Sequence, residues 1–289
     1  MAPTQTGAAG TAPVTDAVGG AALLITGNTT INAVGQAITL DNAGDSFGVL
    51  FLKGATAVIS ETAATDLGNS TITGATFSVT STGAITNNLD PGAVLNGSGN
   101  YSTIEATNAA MTLTAGAGFD ITIVAAGQAR SKFGSLSLSG ANATIVEGGG
   151  TTLNGVVLTG TFSLRAVDGV SPASGLIPLS GGVNQAAGTL VTVTGLATID
   201  AGATYDIALT TGTNNFGSLI FSGRDVAITE VSSLDLGKRS STTSTQGNTA
   251  FRNLTLTSTT AGISQPVPGS ADNTFGKLTV GGTATLTAA

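Results

Sequence analysis

Three of the chain's glutamates stand at one fixed distance from a phenylalanine. Glu61, Glu147 and Glu230 each follow a Phe-Gly pair by fourteen positions, the pairs being Phe47-Gly48, Phe133-Gly134 and Phe216-Gly217. A recurring carboxylate invites metal chemistry, because Ca²⁺ takes about 6–8 oxygen ligands. But no copy carries the dense Asp/Asn spacing of a calcium loop. The glutamate numbers also step by 86 and then by 83, too far for one shared ion if each copy spans several turns of chain. The alternative is a turn or corner carboxylate that accepts backbone N–H bonds, which is how buried acids are commonly satisfied.

Paired acids are the second candidate chemistry. Glycoside cleavage needs two carboxyls roughly 5–10 Å apart, and Glu61 with Asp66, or Asp225 with Glu230, are near enough in sequence to be considered. Such sites combine acids with bases and aromatic sugar platforms. Here there is no His and no Trp, and the two tyrosines are Tyr101 and Tyr205. Tyr205 is replaced by Phe119 in the matching block of another copy, which points to packing. Gly148-Gly149-Gly150 is followed by no Lys-Ser/Thr pair and is not a phosphate loop. Thr-x-Thr pairs (Thr71/Thr73, Thr112/Thr114, Thr192/Thr194, Thr255/Thr257, Thr285/Thr287) would form an ice-binding rank only if one pair came with every turn of chain, and their spacing is irregular. The expectation is a protein with no catalytic residue, no metal and no cofactor.

Composition narrows the partners. Charged residues make up 9% of the 289 residues, against about 25% in typical soluble domains. The net charge of −7 argues against nucleic acid, whose phosphates need basic patches, and against adsorption to anionic lipid. Membrane insertion as a helix needs roughly 20 consecutive apolar residues, and clusters such as Val49-Leu50-Phe51-Leu52 are strand-sized. Disorder is disfavoured by 41% apolar content and a mean hydropathy of +0.36. With no Cys, disulfide and thiolate sites are excluded. Met1-Ala-Pro-Thr-Gln-Thr-Gly has neither a basic nor an apolar leader region, so an exported form of this chain is expected to be processed or excised.

The elements that position these residues repeat with them. Seven positions after each Phe comes Gly54, Gly140 or Gly223, and twenty after comes Leu67, Leu153 or Leu236. Ala115-Gly-Ala-Gly-Phe-Asp-Ile-Thr-Ile123 also matches Ala201-Gly-Ala-Thr-Tyr-Asp-Ile-Ala-Leu209. Within each copy apolar and hydroxyl residues alternate, as in Leu136-Ser-Leu138 and Leu254-Thr-Leu256, the mark of strands with one buried face. Gly, Asn and Asp punctuate them as turns. A tandem unit that cannot bury its own apolar face must stack on its neighbours. The expected fold is therefore all-β, a parallel β-helix (β-solenoid) of about 20 residues per coil. Three tandem units of about 85 residues (20–104, 105–189 and 190–276, with a partial unit 277–289) would form one continuous solenoid of about four coils per unit. Residues 1–19 are expected to be an extension, flexible or paired with a neighbour. Phe47, Phe133 and Phe216 should fill equivalent inward positions.

The style of these repeats is familiar. Phe-Gly-x-Leu, Gly-x-x-x-x-Ile-x-Glu (Gly54 to Glu61, Gly223 to Glu230), Asp66-Leu67-Gly68 with Asp235-Leu236-Gly237, Thr82-Gly-Ala-Ile-Thr86 and Gly195-Leu-Ala-Thr-Ile-Asp-Ala-Gly202 carry it. Over most of Gly20 to Ala289 the chain resembles the β-strand-repeat surface proteins of Gram-negative bacteria, related to filamentous-haemagglutinin-like exoproteins of two-partner secretion and to autotransporter passengers. The resemblance implies a right-handed β-helix, export through an outer-membrane pore, a place outside the cell or on its surface, and a role as stalk, adhesin shaft or fibre. It implies as partners either further copies joined end to end, or a longer array, with a glycan or host surface as ligand. It carries over no catalytic residue. The second copy departs from the pattern: Glu147 is followed by Gly-Gly-Gly, and no Asp precedes Leu153, so that Asp is not essential to the coil. Asn87 to Asn100 and Val167 to Asn184, with Pro91, Pro172 and Pro178, break the alternation and are the candidate binding insertions. Lys238-Arg239 reads as a solvated loop.

Overall fold

The computed structural model describes residues 12–16, 20–87, 102–124, 131–166, 182–237, 247–264 and 278–289. Among them all regular structure is strand, as the β-branched alternation requires. The chain divides into two compact units, Met1–Gly148 with Gly169–Ile177, and Gly149–Asp168 with Pro178–Ala289.

The first unit contains β1 (Val14–Thr15), β2 (Leu24–Leu40), β3 (Ser46–Glu61), β4 (Thr65–Leu67), β5 (Ser70–Ile72), β6 (Thr76–Ser81), β7 (Ile85–Thr86), β8 (Ile104–Thr114), β9 (Ile121–Ile123), β10 (Lys132–Gly140) and β11 (Ala143–Glu147). The pairings whose register is defined are all parallel, and they sort into three faces of one coil. On the first face Thr65, Ile85, Ile121 and Ala143 stack. On the second, Ala33, Gly54, Ile72, Ala106 and Phe133 align. On the third, Ile38, Ala57, Phe77, Met111 and Leu136 align, beside Leu40, Ile59, Val79, Leu113 and Leu138. All the apolar members of these columns are buried. A small residue offsets a large one where Phe77 lies on Ala57. β1, within the segment read as an extension, adds a strand to β2 by pairing Val14 with Ile38.

The coil is the expected size where nothing intervenes: Thr65 lies under Ile85, a step of 20 in the numbering. The fold is a parallel β-solenoid. The coil count per repeat differs from the expectation. Phe47 stacks on Ile25, on the first face. Phe133 sits on Ala106, on the second. One repeat in this unit therefore advances three coils and one face, not about four coils, and successive phenylalanines point inward on different faces. The reason is unequal coil length. Ile121 is the next residue stacked on Ile85, and that step is 36.

The second unit contains β12 (Gly150–Leu158), β13 (Phe162–Ala166), β14 (Gly182–Gln185), β15 (Val191–Asp200), β16 (Ile207–Gly223), β17 (Val226–Glu230), β18 (Leu234–Asp235), β19 (Thr249–Ala250), β20 (Leu254–Ser258), β21 (Ile263–Ser264), β22 (Thr279–Val280) and β23 (Ala284–Ala288). The same construction holds. Val183, Ile207, Val226, Leu254 and Ala284 form one column. Phe162, Ala197 and Leu219 form another, with Leu164, Ile199 and Phe221 beside it. Phe216 stacks on Val193.

Candidate functional site

The Phe-Gly pair explains itself through its neighbours. Phe47, Phe133 and Phe216 are buried. A Cβ on the following glycine would come within 2.5 Å of the Thr26 carbonyl oxygen at Gly48, within 2.7 Å of that of Thr107 at Gly134, and closer still to that of Thr194 at Gly217. The strand can pass the previous coil there only without a side chain. At Gly134 and Gly217 the ladder register shifts beside the glycine. The Gly seven positions on is tight for a milder reason. A Cβ would meet Ile38 at 3.0 Å from Gly54, the Phe119 carbonyl oxygen at 3.1 Å from Gly140, and Val226 at 3.0 Å from Gly223. Leu67, Leu153 and Leu236 are buried in the core.

The glutamates are inside the coil. Glu61 is 2% exposed, and Glu147 and Glu230 are fully covered. Each accepts the backbone N–H of its own repeat's phenylalanine: Phe47 to Glu61 at 3.3 Å, Phe133 to Glu147 at 2.9 Å, Phe216 to Glu230 at 3.0 Å. The spacing of fourteen is thus a hydrogen bond. It supplies a partner for an amide that the shifted ladder leaves over. Burial pushes the Glu61 carboxyl up to about 7, against the pull of the Phe47 N–H and the Thr65 hydroxyl, with the charges of Asp45 and Asp66 adding to the rise. Burial likewise raises Glu230, opposed by the Phe216 N–H and the Ser232 hydroxyl, which donates at 2.7 Å, and helped by Asp235.

A second repeated polar position went unread in the sequence. Two positions before each Phe stand Asp45, Ser131 and Asn214, all buried. Each accepts a backbone N–H from the preceding coil: Leu23 to Asp45 at 2.8 Å, Ile104 to Ser131 at 3.1 Å, Val191 to Asn214 at 3.0 Å. Asn214 also donates to the carbonyls of Leu209 and Thr229 and exchanges two bonds with Gln185. The signal was present, a polar residue in phase with the Phe, but three residue types share the task.

In neither proposed acid pair do both carboxyls reach the surface, because the glutamate of each is buried. Glu230 lies in the core, whereas Asp225 stands at an exposed corner, bound through both oxygens by Arg252 and by the Asn253 N–H. Glu61 is likewise interior, and Asp66 accepts the Thr86 hydroxyl at 3.1 Å. The corner at Asp225 carries a ladder from coil to coil. Asp206 accepts the Asp225 N–H, Asp225 the Asn253 N–H, and Asn253 the Thr283 N–H. Asp120 accepts the Asn142 N–H in the first unit in the same way. Arg224 grips Asp206 at 2.8 and 2.7 Å. The arginines hold Asp206 below the usual carboxylate range and take Asp225 down to about 2.

Among the described residues no group of three or more His, Cys, Asp or Glu could hold a metal ion, and no helix is long and apolar enough to cross a membrane. A cleft of about 200 Å³ opens on the second unit between Thr198, Asp200, Ser222, Thr249 and the exposed ring of Phe251. Of the candidate binding insertions, residues 88–100 and 167–181 lie outside the described residues, as do Lys238, Arg239 and the chain's fourth Phe-Gly pair, Phe275-Gly276. Asn87 is described and is structural. Its side-chain amide donates to the Ser102 and Val124 carbonyls, and its oxygen accepts the Val124 N–H.

No curated protein and no solved structure matches the chain. A family described as repeats of unknown function (DUF5649) matches residues 4–51 and 54–127. Those two stretches span β1 to β9, so the chain is similar to that family across most of the first unit's coils.

Proposed function

We propose that this chain is a segment of an extracellular structural or adhesive rod, a stalk, adhesin shaft or surface fibre, and that it catalyses nothing. One observation carries the reading: the Phe, Glu and Leu that recur between copies all face the coil interior. Repetition here preserves a rule for building coils, and among the described residues no cluster of exposed reactive side chains recurs with it. The resemblance to haemagglutinin-like exoproteins and autotransporter passengers supports export and a surface location. The scarcity of charge supports end-to-end association, since open strand edges pair most readily where no charge repels them. Negative-stain electron microscopy of the purified chain tests the reading. Elongated particles or filaments are expected, and a compact round particle would overturn it.

A glycan-binding reading stands second, on the cleft beside Phe251. An exposed aromatic ring next to the Asp200 carboxylate and the Ser222 and Thr249 hydroxyls suits a sugar, which has an apolar face and polar edges. A glycan array comparing the chain with Phe251→Ala separates the two. Binding lost with the ring favours the glycan, and no binding to any glycan leaves the rod.

A further inference from the structure

We propose that Glu61 and Glu230 are proton-binding locks: each holds its coil closed as a neutral carboxylic acid, and its ionisation loosens the coil. The geometry argues it first. Both carboxyls are interior, and each meets one backbone amide and one hydroxyl, that of Thr65 for Glu61 and that of Ser232 for Glu230. One amide and one hydroxyl do not replace the water that an ionised carboxylate loses on burial. A buried charge is tolerated when it is paired with an opposite one, and among the described residues no cation is offered. The ion pairs there join Lys132 to Glu105, Arg165 to Asp200, Arg224 to Asp206 and Asp225, and Arg252 to Asp225.

The surroundings make ionisation harder still. On Glu61 act Asp45, just before β3, and Asp66 on β4, both acids. β6, which pairs with Glu61 through Ser81, has no titratable residue, and neither does β2 or β5. Lys53, on Glu61's own strand, is exposed. For Glu230, β16 and β20 on either side carry no titratable residue, and the charge that acts on it is Asp235 on β18. Every acting neighbour is therefore another carboxylate. Glu147 shares the position but is left out of the proposal, because further contacts engage it.

The sign follows from the direction of the shifts. Both carboxyls bind their protons more tightly in the folded chain than in the unfolded one. Their contribution to stability is complete below the unfolded value of about 4.5 and is lost as pH rises through the folded value, about 7 for Glu61. A rise from about 4.5 to about 7 corresponds to roughly a 300-fold loss in the folding equilibrium constant across that window from Glu61 alone. Asp206 and Asp225, held low by arginines, act in the opposite sense. Their contribution is lost only as pH falls below about 4, so the two effects separate on the pH axis. Asp45, raised by its own burial, acts in the same direction as Glu61 and is kept unchanged in every variant below.

The test uses the whole chain in two measurements. The first is a carboxyl-carbon NMR titration with glutamate labelled at the side-chain carbonyl, which gives four signals because the chain has four glutamates. Glu61→Gln and Glu230→Gln assign two of them. Glu61 is expected to titrate near 7 and Glu230 above the ordinary range. The second is urea unfolding at pH 5 and pH 8. The wild type should lose stability between the two, and the double variant should lose much less, because Gln has the shape of the neutral acid. Two results would overturn the proposal: both signals titrating between about 4 and 5, or the double variant losing as much as the wild type. Should the double variant fail to fold, the wild-type titration decides alone.

Discussion

A polar side chain inside a coil of parallel strands has its partners in the neighbouring coils, and Asn214 shows how completely one residue can serve. Its oxygen takes the Val191 N–H, and its amide reaches Leu209, Thr229 and Gln185. Asn214→Ala removes the partners of several buried groups at once. Each group left unsatisfied costs about 1–3 kcal/mol, so the variant is expected to lose about 3 kcal/mol or more in urea unfolding at pH 7. Ser131 does the same task at the equivalent place with one bond, so Ser131→Ala should lose about 1 kcal/mol. Equal losses would mean that the Asn214 network adds nothing beyond a single contact. The contrast marks what the sequence made readable. Phe, Gly, Glu and Leu recur as identical letters at fixed distances, and their inward placement follows from the alternation. Asp45, Ser131 and Asn214 recur only as hydrogen-bond acceptors. A shared role carried by three residue types leaves no repeated letter, although the position two before Phe was in view.

At the scale of the element, alternation made the strands readable, but the register between them depends on how much chain lies between faces. Ser78, Thr112 and Ser137 lie on one line across β6, β8 and β10, as do Thr80, Thr114 and Ser139. Along the chain the two steps of such a line are unequal, so the hydroxyl pairs look unordered until the coil is closed. Unequal coil length also concealed that one repeat in the first unit turns by a face. The line through Thr112 is where strand continuity can be tested, because β8 is paired there on both sides. Thr112→Pro removes a ladder amide in a central strand and sets its ring against the neighbouring chain, a change expected to cost about 3 kcal/mol or more. Thr112→Val keeps the β-branched shape on the outward side and should stay within about 0.5 kcal/mol. Chemical denaturation of the two variants checks this. A tolerated proline would mean that β8 is not held between two partners.

For the molecule as a whole, repetition makes the chain divisible at one step and not at others. Stability in a stack of repeats is close to a sum of repeat and neighbour terms, so removing one full repeat should shorten the stack without breaking it. The step is set by residues whose roles are now known. Deleting everything from Phe133 through Asn215 removes one whole Phe-to-Phe repeat and joins Lys132 to Phe216. Ser131 then stands two positions before Phe216, in the place of Asn214, and Glu230 still lies fourteen beyond the Phe whose amide it accepts. Every inward residue after the junction meets the face that its equivalent met before. The shortened chain is expected to keep the β-sheet circular dichroism per residue and a single cooperative urea transition. Its m-value should fall to about seven-tenths of the wild type, in proportion to the length that remains. Deleting Phe133 through Tyr205 instead takes out less chain but places Asp206 after Lys132. That junction puts Asp206 in the place of Phe133 and Ile207 in the place of Gly134, so the alternation falls out of phase, and a strand displaced along its coil exposes what it should bury. The larger deletion should therefore be the better folded of the two. The opposite order would mean that the spacing from Phe133 to Phe216 is a feature of the letters and not of the coils.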